Sequence, residues 1–202
     1  MVIFSFDVDS VLLDTEEEIL NHIDKVYNKK LTQKDVTHWT FYSENFPAVI
    51  DLFQDPNLYK NIKAIDGMVE TMEKIVEHYG HSSIQLVTSS HEKVASSKEK
   101  ALNSIFGHIK DWEHISIIHV GLKDHDENNP HHKHEHSIHT IMIDDAIHNI
   151  EGHINHHSDN KGILVDFGYG WNQDFEHPNV KRVKSPKELL DTVNHMLSNQ
   201  NN

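Results

Sequence analysis

The sequence predicts an α/β fold, a doubly wound parallel sheet with a small helical insertion after the first strand. Short apolar segments rich in β-branched and aromatic residues alternate with segments of helical periodicity, which is typical of parallel strands joined by helices. Residues 15–65 interrupt this alternation, because they carry helical patterns and no clear strand pattern. We therefore expect a core of residues 1–14 and 66–202, with residues 15–65 inserted into it.

Six apolar segments predict the strands of the sheet. The first, residues 2–6, is a run of β-branched and aromatic side chains without a helical stripe. The others share this character and lie at residues 83–87, 115–120, 140–143, 162–165 and, as an edge piece, 181–183. Because strands and helices alternate along the chain, we expect parallel strands with right-handed crossovers.

Apolar residues at three- and four-residue spacing predict the helices. The predicted helices cover residues 15–28, 48–53, 66–80, 93–106 and 186–196. Thr32 is a predicted N-cap of a short unit in the insertion. Gly80 and Gly107 are stop signals, and Pro186 occupies a first turn, where its missing N–H is harmless.

Composition excludes several classes of protein. The 202 residues include no cysteine, which rules out disulfides, thiolate catalysis and zinc held by sulfur. A net charge of −14 makes a nucleic acid polymer an unfavourable partner, because basic residues supply most of the affinity for its phosphates. The sequence has no apolar run long enough for a membrane helix and no signal-peptide pattern. We expect a soluble, cytoplasmic protein.

Histidine is unusually abundant, with 20 residues. They concentrate between His108 and His157 and are densest at residues 131–136. One interpretation is a transition-metal site, since imidazole is a common ligand. We favour the alternative, a solvated loop over residues 125–139, because no HExxH motif or paired helical spacing organises these histidines.

Polar residues follow three of the predicted strands at their carboxyl ends. They are Asp7 and Asp9, Thr88 and Ser89, and Asp144 and Asp145. Such ends share one edge of a parallel sheet, so these groups can converge in one crevice. Carboxylates there can hold a divalent cation or act as a nucleophile, and the hydroxyls can hold phosphate oxygens.

These motifs resemble the haloacid dehalogenase (HAD) phosphatase superfamily, most closely its 5′(3′)-deoxyribonucleotidase family. The resemblance is carried by DVDSV at residues 7–11, LVTS at 86–89 and IDD at 143–145, and it extends to HW at 38–39 and GYGWN at 168–172. It implies a HAD-like Rossmannoid core, in which residues 15–65 form a cap that closes over the crevice and selects the substrate.

The resemblance also implies a reaction and its residues. Asp7 would be the nucleophile that forms an aspartyl-phosphate, and Asp9 the acid/base. Mg²⁺ would be bound by the Asp7 carboxylate, the Asp9 backbone carbonyl and Asp144, with support from Asp145. Thr88 and Ser89 would hold phosphate oxygens. The expected activity is Mg²⁺-dependent hydrolysis of deoxyribonucleoside monophosphates, and the family makes a homodimer an expectation.

Three positions depart from the family pattern. Ser10 stands where glycine is usual, which restricts the turn after Asp9. Ala146 replaces an arginine that often follows the acidic pair. The active-site lysine is either Lys133 or Lys123, and we favour Lys133 from its distance to Asp144.

Trp39 and Phe41 have two interpretations. They can stack on a nucleobase, or they can form the small core of the insertion itself. The function also has alternatives, because the core supplies the chemistry and the cap the selectivity. These are a phosphatase for another small phosphate ester and a non-catalytic metal- or nucleotide-binding protein.

Overall fold

The computed structural model describes residues 3–121, 133–137 and 140–198. Within them six strands form one parallel sheet, which confirms the predicted fold class. The strands are β1 (Phe4–Phe6), β2 (Ile84–Ser89), β3 (Ser116–Val120), β4 (Ile141–Asp144), β5 (Lys161–Val165) and β6 (Val180–Val183). Their order across the sheet is β3-β2-β1-β4-β5-β6, so β1 lies at the centre.

The register of β1 positions the acidic residues that follow it. Phe6 pairs with Leu86 on β2 and with Ile143 on β4. The Asp7 amide then donates a 2.8 Å hydrogen bond to the Ile143 carbonyl oxygen, which extends the β1–β4 pairing by one residue. Since all three strands run the same way, their carboxyl ends meet at one edge of the sheet.

Six α-helices accompany the sheet in the described ranges. They are α1 (Thr15–Tyr27), α2 (Phe41–Asn45), α3 (Met68–Tyr79), α4 (Glu92–Phe106), α5 (Ile147–His156) and α6 (Pro186–Ser198). The predicted helix over 48–53 is instead a 3₁₀ segment, Pro47–Gln54. Helix α5 is not apparent from sequence, because Asn149 and Gly152 weaken its helical pattern.

The insertion leaves the core and returns to it at one place. The Asp14 amide donates to the Lys63 carbonyl oxygen at 2.9 Å, and the Ile65 amide donates to the Leu12 carbonyl oxygen at 3.1 Å. Between these points the insertion has its own buried apolar cluster, formed by Ile19, Ile23, Val36, Tyr42, Phe46 and Val49. The division into a core and a cap stays a prediction that these contacts support.

Two sequence predictions concern residues that are not described. Lys123 lies outside the described residues, as does most of the histidine-rich segment over 125–139. Its part at residues 133–137 includes a 3₁₀ segment, Lys133–His136. Among the described helices, none combines the length and the apolar character that crossing a membrane requires.

Candidate active site

Lys133 joins two of the predicted carboxylates. Its Nζ lies 2.7 Å from Asp7 Oδ1 and 3.1 Å from Asp144 Oδ2, and all three side chains are buried. The contact with Asp7 is an ion pair without good hydrogen-bond angles, so Asp7 Oδ1 accepts no well-formed hydrogen bond from the described residues. A buried charge needs a partner of opposite sign, and Lys133 supplies one to both acids.

A second lysine, Lys98 of α4, holds Asp9. Its Nζ donates to Asp9 Oδ2 at 2.6 Å, and the lysine side chain is almost fully buried. The other Asp9 oxygen, Oδ1, accepts from Thr15 Oγ1 at 2.9 Å and from the Tyr59 hydroxyl at 3.0 Å. Asp9 is therefore fixed from the core and from the insertion at once.

Thr88 and Ser89 differ in their position. Ser89 lines the cavity above the strand ends, whereas Thr88 is fully buried and does not line it. The Lys98 Nζ donates to Thr88 Oγ1 at 2.9 Å and to the Ser89 carbonyl oxygen at 2.8 Å. In this arrangement the Thr88 hydroxyl positions Lys98, and Ser89 is the one of the two that lines the cavity.

The residues present fit a divalent cation. One carboxylate oxygen from each of Asp7, Asp144 and Asp145 lies within 4.8 Å of the others, and all three residues are buried. The Asp7 oxygen without a well-formed hydrogen bond is part of this set of acids. Hard carboxylate oxygens at this spacing are ligands that Mg²⁺ accepts. Asp144 is oriented by the Ala146 amide at 2.9 Å and by Asn149 Nδ2 at 3.1 Å.

Burial and neighbouring charges separate the pKa values of these acids. Burial raises the pKa of Asp7 to about 7, with Lys133 opposing the rise and Asp144 adding to it. Burial also raises the pKa of Asp145 well above its ordinary value, and the nearby Asp144 charge adds to the rise. For Asp9, burial acts in the same direction, but Lys98 and Thr15 outweigh it and lower the pKa. Asp9 is thus the acid held most firmly in its ionised form.

A cavity of about 810 Å³ opens above these groups, between the strand ends and the insertion. We call Asp7, Asp9, Lys133 and Asp145 the cavity floor. We call Trp39, His148 and Trp171 the aromatic wall. In the wall, the Trp39 ring centroid lies 4.8 Å from that of His148 and 6.3 Å from that of Trp171, both edge to face.

Trp39 and Phe41 turn out to occupy different surroundings. Trp39 lines the cavity and is 57% exposed, as a stacking platform requires. Phe41 does not line the cavity; it packs against the apolar cluster of the insertion, with its ring next to Tyr42 and Phe46. The packing favours the second interpretation for Phe41, a place in the small core of the insertion.

Ser10, at a position where the resemblance leads one to expect glycine, has a left-handed backbone conformation that favours glycine. Its φ is 57°, in the left-handed region. Its carbonyl oxygen accepts a 2.7 Å hydrogen bond from the Tyr169 hydroxyl, which holds the turn after Asp9. Serine thus fits this turn at a cost in backbone strain of about 1 kcal/mol.

Sequence reasoning missed several residues that line or support the cavity, including Tyr59 and His148. Two of the missed residues, Lys98 and Glu16, carried a signal. Lys98 falls on the buried face of α4, four residues after Val94 and four before Leu102, and Glu16 falls on the apolar face of α1 with Ile19. A charged residue on an apolar helical face is buried against a partner or marks a site.

Comparisons with solved structures support the HAD fold. A Bacillus subtilis protein assigned as the HAD-hydrolase YfnB, crystallised with magnesium, is 17% identical, with a TM-score of 0.54 and coverage of 96% of this chain and 98% of that one. A Lactobacillus delbrueckii subsp. bulgaricus protein assigned as a phosphoglycolate phosphatase is 14% identical, with a TM-score of 0.60 and coverage of 95% and 97%. At these identities the likeness shows the fold.

A haloacid dehalogenase-like family hydrolase from Xanthomonas campestris is similar in the same way. It is 13% identical, with a TM-score of 0.54, and the match covers 96% of this chain and 91% of that one. No curated protein matched the sequence.

The family comparison is more specific than the structural ones. Residues 1–198 match the family described as "5′ nucleotidase, deoxy (Pyrimidine), cytosolic type C protein". This match spans the core, the insertion and every residue of the candidate site. The chain therefore belongs to the cytosolic type C 5′-deoxynucleotidase family, a HAD-fold family of phosphoric monoester hydrolases of the 5′-nucleotidase type.

Proposed function

We propose that the protein hydrolyses deoxyribonucleoside monophosphates to nucleoside and phosphate, through an aspartyl-phosphate on Asp7 and with Mg²⁺ as its cofactor. The observation that carries the proposal is the convergence of the Asp7, Asp144 and Asp145 carboxylate oxygens within 4.8 Å, with Lys133 against two of them, beneath a cavity with an aromatic wall. Family membership supports the same reaction class.

In the first step the Asp7 carboxylate attacks phosphorus and the bond from phosphorus to the ester oxygen breaks. Asp9 gives its proton to the departing oxygen. The negative charge of a bound phosphate beside Asp9 favours its protonated form and so opposes the effect of Lys98. In the second step Asp9 takes a proton from water, the water oxygen attacks the phosphorus of the aspartyl-phosphate, and phosphate leaves with the Asp7 carboxylate restored.

The proposed cation site consists of the Asp7 carboxylate, the Asp9 backbone carbonyl, Asp144 and, in support, Asp145. Mg²⁺ there supplies positive charge that offsets the repulsion between the carboxylates and an anionic substrate. Lys133 adds a second positive charge at the floor, and Ser89 offers its hydroxyl to a phosphate oxygen. Thr88, which the family resemblance assigns to a phosphate oxygen, is buried and does not line the cavity, so we propose that it serves the site by positioning Lys98.

Residues 15–65 act as the cap in this proposal. They contribute Trp39 to the aromatic wall and Tyr59 to the hydrogen bonding of Asp9. Trp39 stacks on the nucleobase, and closure over the cavity keeps bulk water from the aspartyl-phosphate. A cytoplasmic location and a homodimer, both expected in the sequence analysis, are part of the same proposal.

The test is phosphate release from 5′- and 3′-monophosphates of deoxyribo- and ribonucleosides and from simple sugar phosphates, with Mg²⁺ and with a chelator. We expect Mg²⁺-dependent release that is confined to deoxynucleotides. Activity on all of these esters would keep the phosphatase and reject the nucleotide selectivity. Absence of activity on every ester would reject the catalytic proposal and favour a binding protein.

A further inference from the structure

Glu16 is a buried acid that the proposed reaction does not use. It lies in the first turn of α1, is 3% exposed and lines the cavity. The Tyr42 hydroxyl of α2 donates a short hydrogen bond to its Oε1. Apolar side chains of the insertion, among them Ile19 and Val36, line the same part of the cavity.

The two oxygens of this carboxylate are not equivalent. Oε1 is occupied by Tyr42, whereas Oε2 accepts no hydrogen bond from the described residues. Oε2 is not sealed from solvent either, because the one fully buried unpaired side-chain atom in the described ranges is Asp7 Oδ1. A half-satisfied carboxylate in an apolar cavity needs a further hydrogen-bond donor, which is water in the empty cavity and a donor group of the ligand when one is bound.

Its place in the chain sets which part of a substrate it can reach. The preceding residue, Thr15, donates to Asp9 Oδ1 at 2.9 Å, so Glu16 follows directly on the residue that orients Asp9. Asp9 serves the ester oxygen that leaves with the nucleoside. Glu16 lines the same cavity as Asp9, Lys133 and Asp7; with the phosphate at Lys133 and Asp7, we assign Glu16 to the nucleoside part of the substrate.

We infer that Glu16, held by Tyr42, is a specificity-determining residue that accepts a hydrogen bond from an N–H group of the substrate's nucleobase. The inference rests on the proposed function and adds the chemistry by which the base is chosen. Trp39 lines the same cavity; stacked on the base it fixes the plane of the base, while Glu16 contacts the edge.

The recognition is one-sided in its chemistry. Burial raises the pKa of Glu16 to about 7, so above pH 7 its carboxylate is ionised and only accepts hydrogen bonds, and the Tyr42 hydroxyl donates its own proton to Oε1. A base edge that offers an N–H therefore gains a charge-assisted hydrogen bond. A base whose N–H is replaced by N–CH₃ offers no donor, so Oε2 stays without a hydrogen-bond partner.

The test uses two non-hydrolysable ligands, thymidine 5′-phosphonate and its N3-methyl derivative, which lacks the ring N–H. Binding is measured at pH 8, where the Glu16 carboxyl is ionised, with Mg²⁺ present and by calorimetry or quenching of tryptophan fluorescence, so the readout does not need turnover. A hydrogen bond to a charged group predicts that the wild-type protein binds the parent ligand about 10- to 100-fold more tightly. In the Glu16→Leu variant we expect that preference to fall below about threefold.

The matched control is Glu17→Leu, which makes the same change at the neighbouring, exposed position of α1. It should keep the wild-type preference. If Glu16→Leu does not fold, Glu16→Gln replaces it; this variant keeps the shape and loses the charge, and its preference should fall at least threefold.

Each result decides the inference. A preference that persists in the Glu16 variants would show that the added methyl group clashes elsewhere, and would overturn it. So would equal binding of both ligands, or binding of neither, by the wild-type protein. A protein that shows the predicted preference and releases no phosphate from any ester keeps this inference and loses the catalytic proposal; phosphate release without the preference does the reverse.

Discussion

The cavity floor and the aromatic wall are held together by different forces. At the floor, Asp7 and Asp9 are each in contact with a buried lysine. In the wall, Trp39 makes edge-to-face ring contacts with His148 and Trp171 and is more than half exposed. A buried charge is stable only with its partner in place, whereas an exposed ring keeps its environment when a neighbour changes.

In the proposed function, the cavity floor carries the reaction and the aromatic wall carries the selectivity for the base. Because the floor charges depend on one another, a substitution there that leaves a buried charge without a partner should affect both turnover and folding. Because the wall is exposed and uncharged, a substitution there should affect the affinity for substrate and leave folding nearly as it was. The five predictions below test that division in order of decreasing effect.

Asp7→Asn should give the largest effect at the floor. Loss of a nucleophile typically lowers turnover by about 10⁴-fold or more. The fold should persist, because asparagine keeps the shape and removes a charge whose burial is unfavourable. Phosphate release and thermal unfolding are measured on the same preparation. Retained phosphatase activity would show that the nucleophile is misassigned.

Substitution of each of the two lysines removes a different set of ion pairs at the floor. Lys133→Met leaves Asp7 and Asp144 without their shared cation, and Lys98→Met leaves Asp9 without its own. Removing one partner of a buried ion pair costs about 3–5 kcal/mol of unfolding free energy. We expect the larger loss for Lys133, since it touches two carboxylates, and a fall in kcat for both.

Chemical denaturation and kcat are the measurements for the lysine pair. Lys93→Met, an exposed change on α4, is the control for loss of a positive charge. A Lys98→Met protein with reduced stability and wild-type kcat would mean that Lys98 supports the fold without positioning Asp9.

Glu16→Gln tests a cavity-lining carboxyl that belongs to neither the floor nor the wall, through the pH dependence of the unfolding free energy. Burial raises the pKa of Glu16 to about 7, with Tyr42 opposing the rise, so between pH 4.5 and 7 the folded state binds more protons than the unfolded chain. The wild-type protein therefore loses stability from this group as the pH rises through that window. Glutamine removes the penalty, which should be roughly 3 kcal/mol above pH 7 and absent below pH 4.5.

The measurement is the difference in unfolding free energy between Glu16→Gln and wild type at pH 4, 6 and 8. A difference that grows with pH is expected. A difference that is constant, or that shrinks as the pH rises, would mean that the carboxyl is not buried in the way the structure shows.

Trp39→Ala tests the wall alone. Loss of base stacking costs about 1–2 kcal/mol, which corresponds to a rise in KM for nucleotides of roughly 5- to 30-fold. The melting temperature should hardly change, because the side chain is 57% exposed. Phe41→Ala is the matched control: it should reduce stability through the apolar cluster of the insertion and have the smaller effect on KM. The reverse pattern would exchange the roles of the two aromatics.

Ser10→Gly should give the smallest effect. Glycine adopts the left-handed φ of 57° without strain, which is worth about 1 kcal/mol, partly offset by the greater freedom of the unfolded chain. For a chain of this size the melting temperature should rise by about 1–3 °C. Differential scanning calorimetry measures this change. A lower melting temperature would show that the serine side chain contributes more than its backbone conformation costs.

The sequence predicts the floor better than the wall because the floor acids lie at the carboxyl ends of parallel strands, which meet at one edge of the sheet. Asp7, Asp9 and Asp144 follow buried strands, and parallel strands end at one edge, so local patterns already imply their convergence. The choice of Lys133 over Lys123 depended on spacing alone; the structure places Lys133 at the floor, and Lys123 lies outside the described residues.

The remaining contacts depend on how separate elements pack, which spacing does not show. Trp39 and Phe41 are two residues apart, yet one lines the cavity and the other packs inside the insertion. Lys98 of α4 contacts Asp9 after β1 and the Ser89 carbonyl oxygen of β2, three elements that are far apart in the sequence. The charged positions on apolar helical faces were visible in the sequence, but their partners were not.

The central position of β1 has a consequence for synthesis on the ribosome. Phe4, near the start of the chain, pairs with Ile84 and Ile141, which are made much later. Asp7 therefore cannot approach Asp144 until β4 has been translated, and until then β1 cannot pair on both of its edges. A nascent chain that stops before β4 contains Asp7, the proposed nucleophile, but not Asp144, which completes the proposed cation site. Phosphatase activity should thus appear abruptly, late in translation, and never in partial products.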